Sequence, residues 1–407
     1  MSLTTRLQLS AMMFLQFFMW GAWYGQMSKY LFTQLRATGD QVGNAYTAFS
    51  LAMLIAPFFV GMIADRYFAA QKVLGVLCLL GAGTLYFLIQ TTDPDGFFYL
   101  ILAYCLTFAP TLALTSSIAM QQMRSPENEF PGIRVLGTIA WIVVTNIVGY
   151  YGFGDKVTIF QLAMYTSLAL GVFSFFLPNT PPNPAAGKAT FSQILGLDAF
   201  QLFRDRSFTI FFISSVLICI PLSFYYAMAN PSLTDAGMQN VENKMSLGQA
   251  SEVIFMLLIP VAYSRFGVKN MLIIGLIAWI ARFLLFGYGN AGSGEWMFYI
   301  AILLHGVCYD FFFVTGQIYT DNKAGERIKS SAQGLITLAT YGIGMGIGSK
   351  LAGLVADKYT VDGVKQWISI WMVPAAIAAV VLVIFVLLFT DKKRAVPQPE
   401  ELVTGPL

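Results

Sequence analysis

Runs of some twenty apolar residues alternate with short polar breaks along almost the whole chain. A helix that crosses a bilayer needs about 20 mostly apolar residues. The breaks divide the sequence into twelve such spans, at 8–34, 42–64, 73–91, 97–121, 135–152, 159–178, 207–230, 246–264, 271–288, 296–319, 332–356 and 367–390. Turn and charged residues mark the breaks, as in Asp65-Arg66-Tyr67, Asp93-Pro94-Asp95-Gly96 and Ser264-Arg265-Phe266-Gly267. The longest break holds Pro181, Pro182 and Pro184 and separates six spans from six. The pattern predicts an N-terminal six-helix bundle over 1–178, a cytoplasmic linker over 179–206, a C-terminal six-helix bundle over 207–390 and a solvated tail over 391–407. The first and tenth runs are long enough to tilt or break.

Composition turns this pattern into an argument about solvent. Hydrophobic residues make up 57% of the 407 and charged residues 11%, against about 25% charged in a soluble domain. Lipid must be the solvent for most of such a chain, so its fold class is an all-α integral membrane protein. The net charge of +3 is too small to point to a nucleic-acid partner. Cys78, Cys105, Cys219 and Cys308 lie inside apolar runs with no metal-ligand spacing. No cleavage site follows the first run, which reads as a retained span. Lys and Arg orient the chain: with the termini inside, sixteen of the 24 fall on the cytoplasmic side and seven on the other.

Few ionisable residues interrupt the spans. Each costs about 2.5–3.5 kcal/mol at a helix centre, which makes each a functional candidate. Gln249 and Glu252 lie three apart on span 8 and share a face. An amide beside a carboxylate suits hydroxyls or the edge of a base. In the competing structural reading, Glu252 merely pairs with Arg282 of span 9. Asp310 sits in the aromatic stretch Tyr309-Asp310-Phe311-Phe312-Phe313 of span 10, where an acid is a candidate proton carrier. Its alternative is an ion pair with Arg134 or Arg282. His305 and Tyr309 share a face of that span, whereas Asp310 points about 140° away from His305. The histidine and the aspartate therefore need not meet one molecule. A lone histidine without Cys or carboxylate at ligand spacing does not point to a metal site.

Aromatic residues reach 15% and include Trp20, Trp23, Tyr24, Trp141, Tyr225 and Tyr226. Those facing a central cavity would stack on a planar ring or a sugar's apolar face. Which of them do so is not written in the pattern. The chain carries no P-loop, GxSxG or HExxH, so nothing supports ATP hydrolysis or any other enzymatic activity.

Six spans plus six around a long middle loop, with Gly61-Met62-Ile63-Ala64-Asp65-Arg66 closing span 2, resemble the major facilitator superfamily. The resemblance makes Asp65 and Arg66 candidates for a charged conformational gate, although ordinary positive-inside anchoring accounts for them equally. Gly353-Leu354-Val355-Ala356-Asp357 looks like a second copy. It falls on the opposite face, and is read as coincidence.

Within that superfamily, Phe130-Pro131-Gly132-Ile133-Arg134, Gly137-Thr138, Gln249-Ala250-Ser251-Glu252, Tyr309-Asp310-Phe311 and Ser331-Ala332-Gln333-Gly334 resemble the nucleoside:proton symporter family, from about Leu7 to Thr390. The resemblance implies a monomeric secondary active transporter in a bacterial inner membrane. It would import nucleosides with protons by alternating access, with no cofactor beyond the coupling proton. It implies a central site that uses Arg134, Thr138, Gln249 and Glu252, with Asp310 or Glu252 carrying the proton. The chain departs from uridine-transporting relatives at Ser223 and Tyr226, where they carry Gln and Asn, at His305, where they carry Tyr, and at Trp141, where they carry Phe. These positions and Tyr309 complete the candidate site. The departures leave the preferred base open, along with a sugar or polyol as substrate and a non-transporting sensor of the same fold.

Overall fold

The computed structural model describes residues 1–59, 68–181 and 197–390. Span 1 breaks, as its length allowed: Leu3–Trp23 is followed by a turn and then Met27–Thr33. It begins at Leu3 because the Ser2 hydroxyl accepts the Thr5 amide at 3.1 Å and caps the first turn. Spans 2 to 6 are Gly39–Phe59, Ala70–Leu88, Pro94–Gln121, Pro126–Tyr150 and Thr158–Ser174. Asp93 caps the fourth by accepting the Gly96 amide at 2.7 Å, with Pro94 in its first turn.

In the second half, a 3-10 helix over Leu197–Arg204 leads into span 7, Arg206–Asp235. The stretch Val241–Tyr288 is two spans folded at Gly267, whose φ of 70° and ψ of 171° a side chain would disfavour. Span 10 starts as Glu295–Tyr309 and passes through a π-helical turn at Asp310–Val314. A second glycine joint, Gly325 with φ 65° and ψ 175°, leads into span 11. Span 11 holds another π-helical stretch, Leu338–Gly344, and ends as Met345–Lys358. A two-residue hairpin, Thr360–Val361 against Val364–Lys365, turns through Asp362 and Gly363, both at positive φ, into span 12, Trp367–Leu388.

Seven helices among the described residues are by themselves long and apolar enough to cross a membrane. One of these is the folded pair of spans 8 and 9. Span 6 is apolar but shorter, at 17 residues. The architecture is twelve spans in two six-helix halves.

The halves meet where span 2 packs on span 11 and span 5 on span 8. Bonds between them cluster at the end of the molecule away from the termini. Lys29 Nζ reaches Glu242 at 2.8 Å, and Asn146 donates to the Ser246 hydroxyl at 2.9 Å. Asp357 accepts the backbone amides of Gly39 at 2.6 Å and Asp40 at 2.7 Å, capping span 2 from the other half. Lys350 pairs with Asp40 and donates to Asn44. Only glycine permits this approach, since a Cβ on Gly43 would stand 2.6 Å from the Ser349 carbonyl oxygen and one on Gly353 would collide with that of Gly39. The Gly353–Asp357 stretch is therefore a joint between the halves. Asp65 and Arg66 lie outside the described residues.

Candidate functional site

Between the halves lies a cavity lined by residues of both. Four spans turn one helical stripe each toward it, at spacings of three, four or seven residues. Phe17, Trp20 and Tyr24 come from span 1, Arg134, Thr138 and Trp141 from span 5, Gln249 and Glu252 from span 8, and His305 and Tyr309 from span 10. Eight of the nine residues expected to bind substrate line this space. The ninth, Ser223, does not: its buried hydroxyl donates to the carbonyls of Cys219 and Met345, both at 3.0 Å. Met345 itself lines the cavity, so Ser223 bears on it through the backbone of span 11.

Small residues bring spans 8 and 10 together. A Cβ on Gly306 would stand 2.6 Å from the Ser251 carbonyl oxygen, and one on Gly248 would stand 3.3 Å from His305 Cβ. The Ser251 hydroxyl donates to the Leu303 carbonyl at 2.5 Å. This contact sets His305 between two charged neighbours. Arg282 Nη1 lies 3.0 Å from His305 Nδ1, and His305 Nε2 lies 3.6 Å from Glu252 Oε2. Glu252 is thus not paired directly with Arg282. The arginine is fully buried and stacks its guanidinium 3.6 Å from the centroid of Tyr225.

In span 5, the Arg134 guanidinium lies 4.1 Å over the Phe17 ring. Gly137 lets the two spans approach, since a Cβ there would stand 2.7 Å from that ring. Opposite, the Tyr309 and Tyr341 hydroxyls meet at 2.6 Å. Tyr309 precedes one π turn and Tyr341 lies within the other. The extra residue in a π turn re-aims the side chains that follow, and such turns concentrate at functional sites. The remaining wall is aromatic: Trp20 packs edge-on to Trp141 at 5.2 Å and stacks on Phe49 at 5.5 Å, and Tyr24 packs edge-on to Tyr226 at 5.2 Å.

Asp310 stands apart. It is fully buried, neither carboxylate oxygen has a hydrogen-bond partner, and it does not line the cavity. Neither Arg134 nor Arg282 forms an ion pair with it among the described residues. Phe17, Phe49, Tyr341 and Met345 line the cavity without having been singled out from sequence. For Tyr341 a signal existed in the glycine-rich run Gly342-Ile343-Gly344-Met345-Gly346, unusual inside a span. For Phe17 and Phe49 there was none.

The arrangement offers hydrogen-bonding groups from both halves around a water-reachable cavity, with aromatic faces around the rest. It suits an uncharged, hydroxyl-bearing molecule with a flat ring. Residues 1–394 match the family described as nucleoside H+ symporter. The chain is 41% identical to YegT of Escherichia coli (strain K12), a candidate nucleoside transporter by its name, over 96% of this chain and 95% of that one. It is 31% identical to the nucleoside permease NupG of the same organism, over 98% and 99% of the two chains. The crystal structure of NupG superposes with a TM-score of 0.88 at 31% identity, covering 95% of this chain and all of that one. A transporter of the POT family, PepTSo, shares the fold alone, with a TM-score of 0.73 at 14% identity. With twelve spans in two halves around a shared cavity, and a match across nearly its full length, the chain belongs to the nucleoside H+ symporter family of major facilitator transporters.

Proposed function

We propose that the chain acts as a monomer in a bacterial inner membrane, importing nucleosides with protons, its substrate held in the cavity between the halves. Gln249, Glu252 and the Nε2 side of His305 supply hydrogen bonds for ribose or base. Arg134 and Thr138 face them from the other half. Trp20, Trp141 and Tyr226 supply surfaces against which the base stacks. With both termini in the cytoplasm, as the Lys and Arg distribution favours, the joined end is the outer one. Asp40, Asp357, Lys29 and Glu242 then close the outer side while the cavity serves the inner. Asp310 and Glu252 are the groups that take up and release the proton.

The observation that carries this reading is the convergence of Gln249, Glu252, Arg134 and Thr138, two from each half, on one cavity. A site shared in this way changes access when the halves rock, which is what alternating access requires. The test is proton flux driven by substrate in proteoliposomes, across a panel of nucleosides and with free sugars as competitors. The expected result is proton entry with at least one nucleoside and no competition by sugars. Substrate movement without proton movement would overturn the coupling, and sugar-driven flux alone would overturn the substrate class.

A further inference from the structure

Tyr309 of span 10 and Tyr341 of span 11 line the central cavity with their hydroxyl oxygens 2.6 Å apart. A phenol has one proton to donate and lone pairs with which to accept. One hydroxyl therefore donates to the other, and the acceptor's own proton is not used by that bond. Neither hydroxyl makes a further hydrogen bond among the described residues. The pair thus keeps one O–H donor and free lone pairs at the cavity wall.

The backbone holds this pair in place. Tyr309 stands immediately before the π turn Asp310–Val314, and Tyr341 lies inside the π-helical stretch Leu338–Gly344. Span 11 is pressed against both halves here. A Cβ on Gly342 would collide with Leu54 of span 2, and one on Gly344 would stand 2.6 Å from the Val216 carbonyl oxygen of span 7. A group fixed before its ligand arrives loses less freedom on binding it. Tyr226, one of the faces offered to the base, is an electrostatic neighbour of both tyrosines. The pair therefore sits beside a stacking surface, where a donor and acceptor set can reach the edge of a stacked ring.

We propose that Tyr341 is a specificity-determining residue: joined to Tyr309, it reads the hydrogen-bonding edge of the nucleoside's base. The spare O–H meets a carbonyl oxygen or ring nitrogen of that edge, and the lone pairs meet an N–H. Gln249 and Glu252 then hold the ribose hydroxyls from span 8, since a carboxylate accepts and cannot serve a carbonyl. The edges of uracil, hypoxanthine and adenine each set a donor beside an acceptor. The pair accordingly selects for a polar edge and not for one base. This rests on the transport reading above, and adds which part of the substrate spans 10 and 11 recognise.

The test measures equilibrium binding in detergent of adenosine and uridine, each against a riboside that lacks the polar edge. Benzimidazole riboside serves for adenosine and 2-pyridone riboside for uridine, while the 3′-deoxy forms of both nucleosides report the ribose end. Wild type is expected to bind at least one nucleoside about 3- to 10-fold more tightly than its edgeless analogue, the effect of one hydrogen bond. In Tyr309→Phe combined with Tyr341→Phe, that ratio should fall to about twofold or less, with affinity for the edgeless analogue unchanged. The ratio to the 3′-deoxy form should persist, and each single variant, which keeps one hydroxyl, should show a partial fall. A preference for the polar edge that survives in the combined variant overturns the proposal, as does its absence from wild type. Equal losses for every ligand also overturn it, because the pair then only shapes the cavity. Collapse of the 3′-deoxy ratio instead overturns the assignment to the base and places the pair at the ribose. A wild-type protein that binds neither adenosine nor uridine overturns the transport reading, and this proposal with it.

Discussion

Arg282 Nη1 lies 3.0 Å from His305 Nδ1, and this contact decides which nitrogen of the histidine carries its proton. A guanidinium has donors and no acceptor, so Nδ1 must accept. The ring proton is then on Nε2, the nitrogen 3.6 Å from Glu252 and lining the cavity. Arg282 never touches the cavity, yet it fixes what the cavity presents. Arg282→Met and His305→Ala should each weaken nucleoside binding, and the double variant should be no weaker than His305→Ala. A coupling energy of about 0.5–3 kcal/mol in a double-mutant cycle, read by calorimetric binding, is expected. Additive losses would mean that the two residues act independently.

Gln249 and Glu252 should carry much of the substrate's hydrogen bonding, since they face the cavity from one stripe of span 8. Glu252→Gln is expected to cost about 1.5–3 kcal/mol in binding and Gln249→Ala about 0.5–1.5 kcal/mol. Both variants should insert and purify as wild type does. Wild-type affinity in detergent for either would remove that side chain from the substrate's contacts.

Asp357 caps span 2 across the boundary between halves, and removing the cap should loosen that end. Asp357→Ala is expected to weaken the joined state by about 0.5–2 kcal/mol, a shift of roughly 2- to 30-fold in the access equilibrium. Met245→Cys supplies a reporter, because Met245 lies about one helical turn behind Glu242 of the joint and the four native cysteines are buried. Labelling by a membrane-impermeant maleimide from the joined face should rise by that factor. An unchanged labelling rate would show that the glycine packing holds the end closed without the carboxylate.

Asp310 lies in a π turn, sealed from the cavity with neither oxygen partnered. A carboxylate left without partners is costly to hold in the charged form. A proton carried there is therefore tied to a rearrangement that opens the packing around span 10. Asp310→Asn should bind substrate and exchange it at equal concentrations, while losing accumulation driven by a pH gradient. If the variant still concentrates substrate, Glu252, whose side chain is 19% exposed to the cavity, becomes the proton carrier.

The sequence by itself settled the twelve spans and their grouping into six and six. Hydropathy is a local quantity, and lipid leaves helices as the only way to satisfy the backbone of such runs. It also settled which side chains share a helical face. Gln249 and Glu252 turn together to the cavity, His305 and Tyr309 likewise, and Asp310 turns away, because a pitch of 3.6 residues holds wherever the helix is regular. Regularity fails at Tyr24–Gln26, Asp310–Val314 and Leu338–Gly344; the length of the first and tenth runs allowed a break but not its place, and for the eleventh the pattern gave no warning. Packing decides such breaks, by which neighbour supplies the bonds the helix gives up. The cavity's aromatic wall was hidden for a related reason: a membrane helix is apolar on every side, so Phe17 and Phe49 look the same as residues that face lipid. His305 between Glu252 and Arg282, the Tyr309–Tyr341 pair and the Asp357 cap all join segments far apart in the chain. Only the tertiary structure could decide them, because they depend on which helices meet and at what height.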